Sequence, residues 1–399
     1  MKGSVSLFTL HFLLFPFHRT TLPRVSDPFT AYAITAPGIE AITAAELTAL
    51  GLPVVATEPG GVTFSATPTQ LYAANLHSRT ATRVVVRVAE FTARTFFELE
   101  RHARKVPWER FAAPGTAVEF RVTSRKSKLY HQRAIEERLL RWTEERGFVP
   151  QREESSRSQL FLVRLHRDRV MVSADSSGEL LHRRGYRLAT AKAPVRETLA
   201  AAMLLASGWD ALAPLIDPLC GAGTIPIEAA LIARRVAPGI GRTFAFERWP
   251  EFASAEWVRV REAAIGAQRT GPGGVVIGAD RDAGAVTAAR ANAERAGVAG
   301  DIEFTQESLD ASTRAAPRPG GWLITNPPYG IRVGQDRELS PLYATLGAAA
   351  RHRVPGGVLG LLSADPRLDA RIGIPLTERF ATENGGLGVR FVAGVVSSG

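Results

Sequence analysis

The stretch that most constrains this 399-residue chain runs Gly-Trp-Leu-Ile-Thr-Asn-Pro-Pro-Tyr-Gly, from Gly321 to Gly330. Trp322, Leu323 and Ile324 form a short apolar run with aromatic and β-branched character, which predicts a buried strand. Pro327 and Pro328 then prevent both onward pairing and a helix start. The result is a stiff, extended turn at the carboxyl end of a strand, the edge where open α/β sheets bind ligands. Its groups suit a planar exocyclic amine. The Asn326 side-chain oxygen and the rigid Pro327 carbonyl can each accept an N–H, and Tyr329 offers a flat face for stacking. The plain alternative is a proline-rich turn with a packed tyrosine.

A second constraint lies upstream. Leu215-Ile-Asp-Pro-Leu-Cys-Gly-Ala-Gly-Thr-Ile-Pro-Ile-Glu-Ala-Ala230 reads as strand, glycine-rich turn and helix. Gly221 and Gly223 let a ligand approach the backbone, and the helix start offers free N–H groups. The dinucleotide fingerprint fails because Pro226 stands where its third glycine belongs, and no Gly-Lys-Ser/Thr follows to make a P-loop. Val275 to Asp280 predicts another buried strand, ending in a carboxylate suited to ribose hydroxyls. Asp280 is the first candidate for that contact. Asp282 is the second, although a helix cap explains it better.

Only one cysteine, Cys220, is present, which excludes an internal disulfide and a cysteine-rich metal site and fits a reducing cytoplasm. Cys220 reads as a small packed residue rather than a nucleophile. The net charge is +10 and unevenly spread: residues 1–187 carry 27 of the 49 Lys and Arg but 18 of the 39 Asp and Glu. The excess therefore sits in the amino-terminal half, as expected where that half meets a polyanion. Residues 1–30 imitate a signal peptide, but the apolar run from Val5 to Phe17 is too short to span a bilayer. They read as a disordered extension, with Val25 a possible true start.

Residues 31–90 alternate strand, helix, strand, helix, strand, a small ferredoxin-like α+β unit. Residues 91–187 predict a second unit with a strand over Ala117–Ser124, a helix over His131–Gly147 and a hairpin across Asp168. Its loop Ser124-Arg-Lys-Ser-Lys-Leu-Tyr-His combines Arg125, Lys126 and Lys128 with Tyr130, which suits phosphate contact and base stacking. The basic junction Leu181-His-Arg-Arg-Gly-Tyr-Arg, with Arg183 and Arg184, either contacts RNA or pins the two halves together. Residues 188–399 hold both glycine and proline turns and a terminal hairpin carrying Asn384-Gly385. Within them, 236–272 is a long segment with no role derivable from sequence.

Asn326-Pro-Pro-Tyr329 resembles the motif of S-adenosylmethionine (SAM)-dependent amino-methyltransferases. Asp217-Pro-Leu-Cys-Gly-Ala-Gly-Thr224 resembles the SAM-binding turn of the THUMP-domain RNA guanine-N2-methyltransferases, and residues 31–395 share the layout of their bacterial 23S rRNA members. The resemblance implies a Rossmann-like class I methyltransferase domain over 188–399, preceded by the ferredoxin-like subdomain and a THUMP RNA-binding domain over 91–187. It implies SAM as cofactor, held by Asp217, Pro218, Cys220, Gly221, Gly223, Thr224 and Asp280. The family's adenine-region acid falls at Ser308 here, with Glu307 and Asp310 on either side; Asp310 is the candidate taken, and which acid makes the contact stays open. Asn326, Pro327 and Tyr329 would form the catalytic motif, and Pro328, Arg125, Lys126, Lys128, Tyr130, Arg183 and Arg184 would meet substrate. Structured RNA is the expected partner, 23S rRNA or a tRNA acceptor stem, for a cytoplasmic monomer using neither metal nor membrane. DNA adenine or protein glutamine methylation, or RNA binding without catalysis, are the other classes. The basic amino-terminal half favours RNA, and the intact SAM turn favours catalysis.

Overall fold

The computed structural model describes residues 28–151, 158–188, 195–271, 273–329 and 335–398. The expectations for Val25 and most of the extension lie outside the described residues. Phe29 and Thr30, read as the end of the extension, instead begin the first strand.

The chain starts β1 (Phe29–Ile34), α1 (Glu40–Ala49), β2 (Val54–Glu58), β3 (Gly61–Ala66), α2 (Pro68–His77) and β4 (Arg83–Thr92). The Thr67 hydroxyl accepts from Gln70 N–H while the Gln70 side chain accepts from Thr67 N–H, so a capping box opens α2 with Pro68 in its first turn. β2 was not legible in the sequence. It is an edge strand, exposed along most of its length, and has no buried face to impose alternation.

Next come α3 (Phe96–Ala103), β5 (Ala117–Arg125), α4 (Gln132–Glu144), β6 (Val149–Pro150), β7 (Gln159–His166) and β8 (Arg169–Asp175). β4 pairs antiparallel with β8 from Val85↔Asp175 to Thr92↔Arg169. The two amino-terminal units therefore share one eight-stranded sheet, ordered β2-β3-β1-β4-β8-β7-β5-β6. The boundary expected at 90/91 falls inside β4, because that strand continues the first unit and templates the second.

The carboxyl-terminal half contains α5 (Glu197–Ala206), β9 (Leu215–Asp217), α6 (Thr224–Ala233), α7 (Ser254–Gly266), β10 (Val276–Asp280), α8 (Ala283–Arg295), β11 (Ile302–Gln306), α9 (Leu309–Ser312), β12 (Trp322–Thr325), α10 (Gln335–Arg353), β13 (Val358–Ser363), α11 (Pro366–Ile372), β14 (Thr377–Asn384) and β15 (Leu387–Val395). Its seven-stranded sheet is ordered β11-β10-β9-β12-β13-β15-β14, parallel from β11 to β13, with β15 antiparallel to both β13 and β14. Both faces are covered, as a parallel sheet requires. Ile324 packs with Ile225 and Phe391, whereas Leu323 packs with Tyr343 and Leu346 of α10.

The described part of the segment, residues 236–271, acquires a role here. It leaves the carboxyl-terminal half and packs on the amino-terminal core. Phe246 stacks on Tyr72 with ring centroids 4.4 Å apart, and Trp249 Nε1 donates to Gln159 Oε1 at 2.8 Å. Gly239 N–H reaches the Leu76 carbonyl at 3.0 Å. A strap of aromatics thus joins the halves, and sequence spacing alone carries no sign of which surface such residues will cover.

Candidate active site

β9 and β12 run parallel and adjacent, paired Leu215↔Trp322 and Ile216↔Leu323, so their carboxyl ends emerge side by side at the point where strand order reverses. One end carries the glycine turn and the other Asn326-Pro-Pro-Tyr329. A buried bond joins them: Thr325 Oγ1 donates to Asp217 Oδ1 at 2.6 Å. Asp217 Oδ1 also accepts from Leu219 N–H at 3.1 Å, shaping the start of the turn. Burial pushes the Asp217 carboxyl up to about 7, although these two hydrogen bonds favour its ionised form.

Gly221 and Gly223 both have positive φ, 54° and 83°. A Cβ on Gly223 would lie 2.9 Å from Ala289 Cβ and 3.2 Å from Phe304 Cζ, so only glycine fits between the turn and the elements beneath it. From α8, Asn292 Nδ2 donates to the Ala222 carbonyl at 2.9 Å and ties the turn down. Gly223 is the N-cap of α6 and supplies no side-chain cap, leaving the first-turn N–H groups without side-chain partners. Asp280, at the end of β10, accepts Gly221 N–H on Oδ2 at 2.9 Å and Asp282 N–H on Oδ1 at 3.0 Å. Its carboxylate therefore stands directly beside the turn. Asp282 caps α8 through Gly284 N–H at 2.7 Å, as its alternative reading held. Cys220 is buried, and burial pushes its thiol up, away from thiolate chemistry.

Beyond β12, Pro327 is buried and Pro328 exposed. The Tyr329 hydroxyl donates to Asn326 Oδ1 and accepts from Asn384 Nδ2 at 3.2 Å. The Pro328 carbonyl accepts from the Tyr343 hydroxyl at 3.2 Å, which braces the turn from α10. Tyr329 is thus half-buried, packed against the core, with its hydroxyl bonded on both sides.

The family model described as RMKL-like, methyltransferase domain, matches residues 184–392, and that of the RlmL ferredoxin-like domain matches 30–85. This chain belongs to the RMKL-like methyltransferase family. It is 34% identical over 362 residues, 89% of its own length and 94% of the other, to a Synechocystis sp. protein provisionally named an RNA methyltransferase. It is also 34% identical to the ribosomal RNA large subunit methyltransferase K/L of Syntrophotalea carbinolica, over 92% of this chain and 53% of that one. The chain spans about half the length of its K/L relatives. Among solved structures, the provisionally assigned methyltransferase SMU.472, crystallised with S-adenosylhomocysteine, superposes with a TM-score of 0.83 at 30% identity, covering 94% of this chain and 99% of the other.

The methyltransferase is SAM-dependent, and its residues fit that cofactor. The glycine turn admits close backbone approach, the uncapped start of α6 suits the methionine carboxylate, and Asp280 suits ribose hydroxyls. Asp310 is exposed in α9, while Ser308 caps that helix by accepting from Ala311 N–H at 3.3 Å.

The remaining candidates of this methyltransferase divide. Arg125, Lys126, Lys128 and Tyr130 are all exposed. Their loop is fastened from beneath, by Lys128 N–H to Asp168 Oδ1 at 2.7 Å and by Ser124 Oγ to the Leu129 carbonyl at 2.6 Å. Arg183 is exposed too. Arg184 is not: its side chain is 3% exposed, donates to the Arg79 carbonyl at 2.6 Å and lies 3.6 Å from Glu228 of α6. The reading of Arg184 as a substrate contact is corrected to that of a pin. Tyr186 joins it, donating to Glu228 Oε1 at 3.0 Å. Thr325, Asn292 and Asn384 were missed, since nothing local in the sequence marks a residue that acts on a distant segment. Among the described residues, no helix is long and apolar enough to cross a membrane, and no cluster of His, Cys, Asp or Glu could hold a metal ion.

Proposed function

We propose that this chain transfers a methyl group from SAM to the exocyclic N2 of a guanine in structured RNA, 23S rRNA first and a tRNA acceptor stem second, as a cytoplasmic monomer. The observation that carries this reading is the hydrogen-bonded adjacency of the SAM turn and Asn326-Pro-Pro-Tyr329 through Asp217 and Thr325. The cofactor supplies an electrophilic methyl group. The protein's task is alignment. Asn326 Oδ1 has a second lone pair beyond the one that Tyr329 occupies, and with the Pro327 carbonyl it can hold the two N–H bonds of an amine. Holding that nitrogen in line supplies much of the rate, and the proton leaves after the nitrogen becomes cationic. The target base must leave its stack to reach this edge. Residues 91–187 act as the THUMP RNA-binding domain, with Arg125, Lys126, Lys128, Tyr130 and Arg183 on its outer face. The relatives' names and the basic amino-terminal half support RNA over DNA or protein.

Mass mapping of modified guanines in rRNA and tRNA, from a strain lacking the chain, identifies the substrate. Single-turnover methylation of that RNA then tests the motif. Asn326→Ala is expected to lower the rate by orders of magnitude with SAM affinity largely kept. A near-wild-type rate would return the motif to a structural turn.

A further inference from the structure

Asn384 ends β14 and faces Leu387 across Gly385 and Gly386, both at positive φ (61° and 81°). Its hairpin is anchored rather than loose. β15 pairs with β13 from Val358↔Val395 to Ser363↔Arg390, and β13 lies beside β12. The sheet whose strand β12 leads into Asn326 therefore also carries Asn384 to the turn that follows β12. There Asn384 Nδ2 donates to the Tyr329 oxygen at 3.2 Å, and Tyr329 donates to Asn326 Oδ1.

The order of donors has a consequence. A hydroxyl has one hydrogen, and a carboxamide has an oxygen end that only accepts and a nitrogen end that only donates. With an Asn384 N–H directed at the Tyr329 oxygen, the single Tyr329 hydrogen is left for Asn326 and calls for the oxygen end of its amide. Turning the Asn326 amide over would set donor against donor. It would also present NH2 instead of oxygen to an incoming amine. Burial pushes the Tyr329 phenol up to about 12, so the hydrogen is retained across the working pH range.

We propose that Asn384 is a positioning residue for methyl transfer: it makes Tyr329 a donor, and Tyr329 in turn holds the Asn326 carboxamide with its oxygen ready for the target amine. The proposal rests on the reading of Asn326 as the residue that holds that amine.

The test reverses the relay. Asn384→Asp keeps the shape but replaces the donor with an acceptor, which draws the Tyr329 hydrogen away from Asn326. Asn384→Ala only removes the outer partner and leaves Tyr329 free to donate. Single-turnover methylation is measured on the full chain, with saturating SAM and unmethylated RNA, for both variants, for Tyr329→Phe, and for the double variant Tyr329→Phe, Asn384→Asp. We expect Asn384→Asp to lose at least tenfold in rate, Asn384→Ala to lose less, and SAM affinity to stay within twofold of wild type. In the Tyr329→Phe background, Asn384→Asp should cost no further rate, because no hydrogen remains to redirect. A rate for Asn384→Asp within twofold of wild type overturns the proposal. So does a loss carried undiminished into the Tyr329→Phe background, which assigns the effect to the added charge, and so does a loss of SAM affinity equal to the loss of rate. Asn326→Ala separates the two levels: if it is silent, the amine-holding reading itself fails; if it is severe while Asn384→Asp is harmless, only the relay fails.

Discussion

Thr325 and Asp217, 108 residues apart in sequence, share a 2.6 Å hydrogen bond with both side chains buried. Each is the last residue of its strand, and each precedes a turn of the candidate site. The bond fixes the relative height of the two strand ends, so the glycine turn and the Asn326 turn present their groups at one level. A buried hydrogen bond of this kind contributes about 0.5–1.5 kcal/mol, which opposes slippage.

Asp217 also imposes a pH dependence. Its folded pKa, about 7, lies above the ordinary carboxylate value, so in the interval between them the folded protein holds a proton that the unfolded chain has released. Its contribution is therefore most favourable below about pH 4 and is lost as pH rises to 7. Asp217→Asn removes this titration. Urea unfolding of both proteins from pH 5 to pH 8 should show the variant gaining on wild type by about 1 kcal/mol per pH unit up to pH 7, then running parallel. Parallel profiles throughout would place the ordinary carboxylate pKa in the folded state.

Asp280 is proposed to bind the cofactor's ribose hydroxyls. Its carboxylate holds Gly221 N–H and stands beside the turn. Asp280→Ala should weaken SAM by about ten- to a hundredfold, the scale of one charge-assisted hydrogen bond. Isothermal calorimetry reads this directly, and an unchanged affinity would remove Asp280 from the cofactor site.

The exposed and the buried cations should behave in opposite ways. Arg125→Ala and Lys128→Ala are each expected to weaken RNA binding and to flatten its salt dependence by about one unit of slope, as one released counterion dictates. Stability should not move. Arg184→Ala should instead lower the unfolding midpoint, because it leaves Glu228 buried with less compensation, a cost of about 3–5 kcal/mol in comparable pairs. Filter binding of 23S rRNA across a salt series, beside thermal unfolding of each variant, checks all three. Salt-independent binding would rule out the basic loop as a phosphate contact.

What the sequence determined by itself was local. The run from Trp322 to Ile324 had to be a buried strand, and two prolines had to end it. Gly221 and Gly223 had to turn between a strand and a helix, and the Asn384-Gly385 dipeptide had to turn a hairpin. These outcomes follow from backbone sterics and from side-chain alternation, which act over a few residues. Only the tertiary structure decided which ends meet. The pairing of β9 with β12 brings Asp217 to Thr325, the sheet order carries Asn384 back to Tyr329, and the fold turns Arg184 inward while leaving Arg183 outside. Such contacts join residues far apart in sequence. They depend on strand order and on which faces are buried together, and a side chain's own neighbours in the chain carry no trace of either.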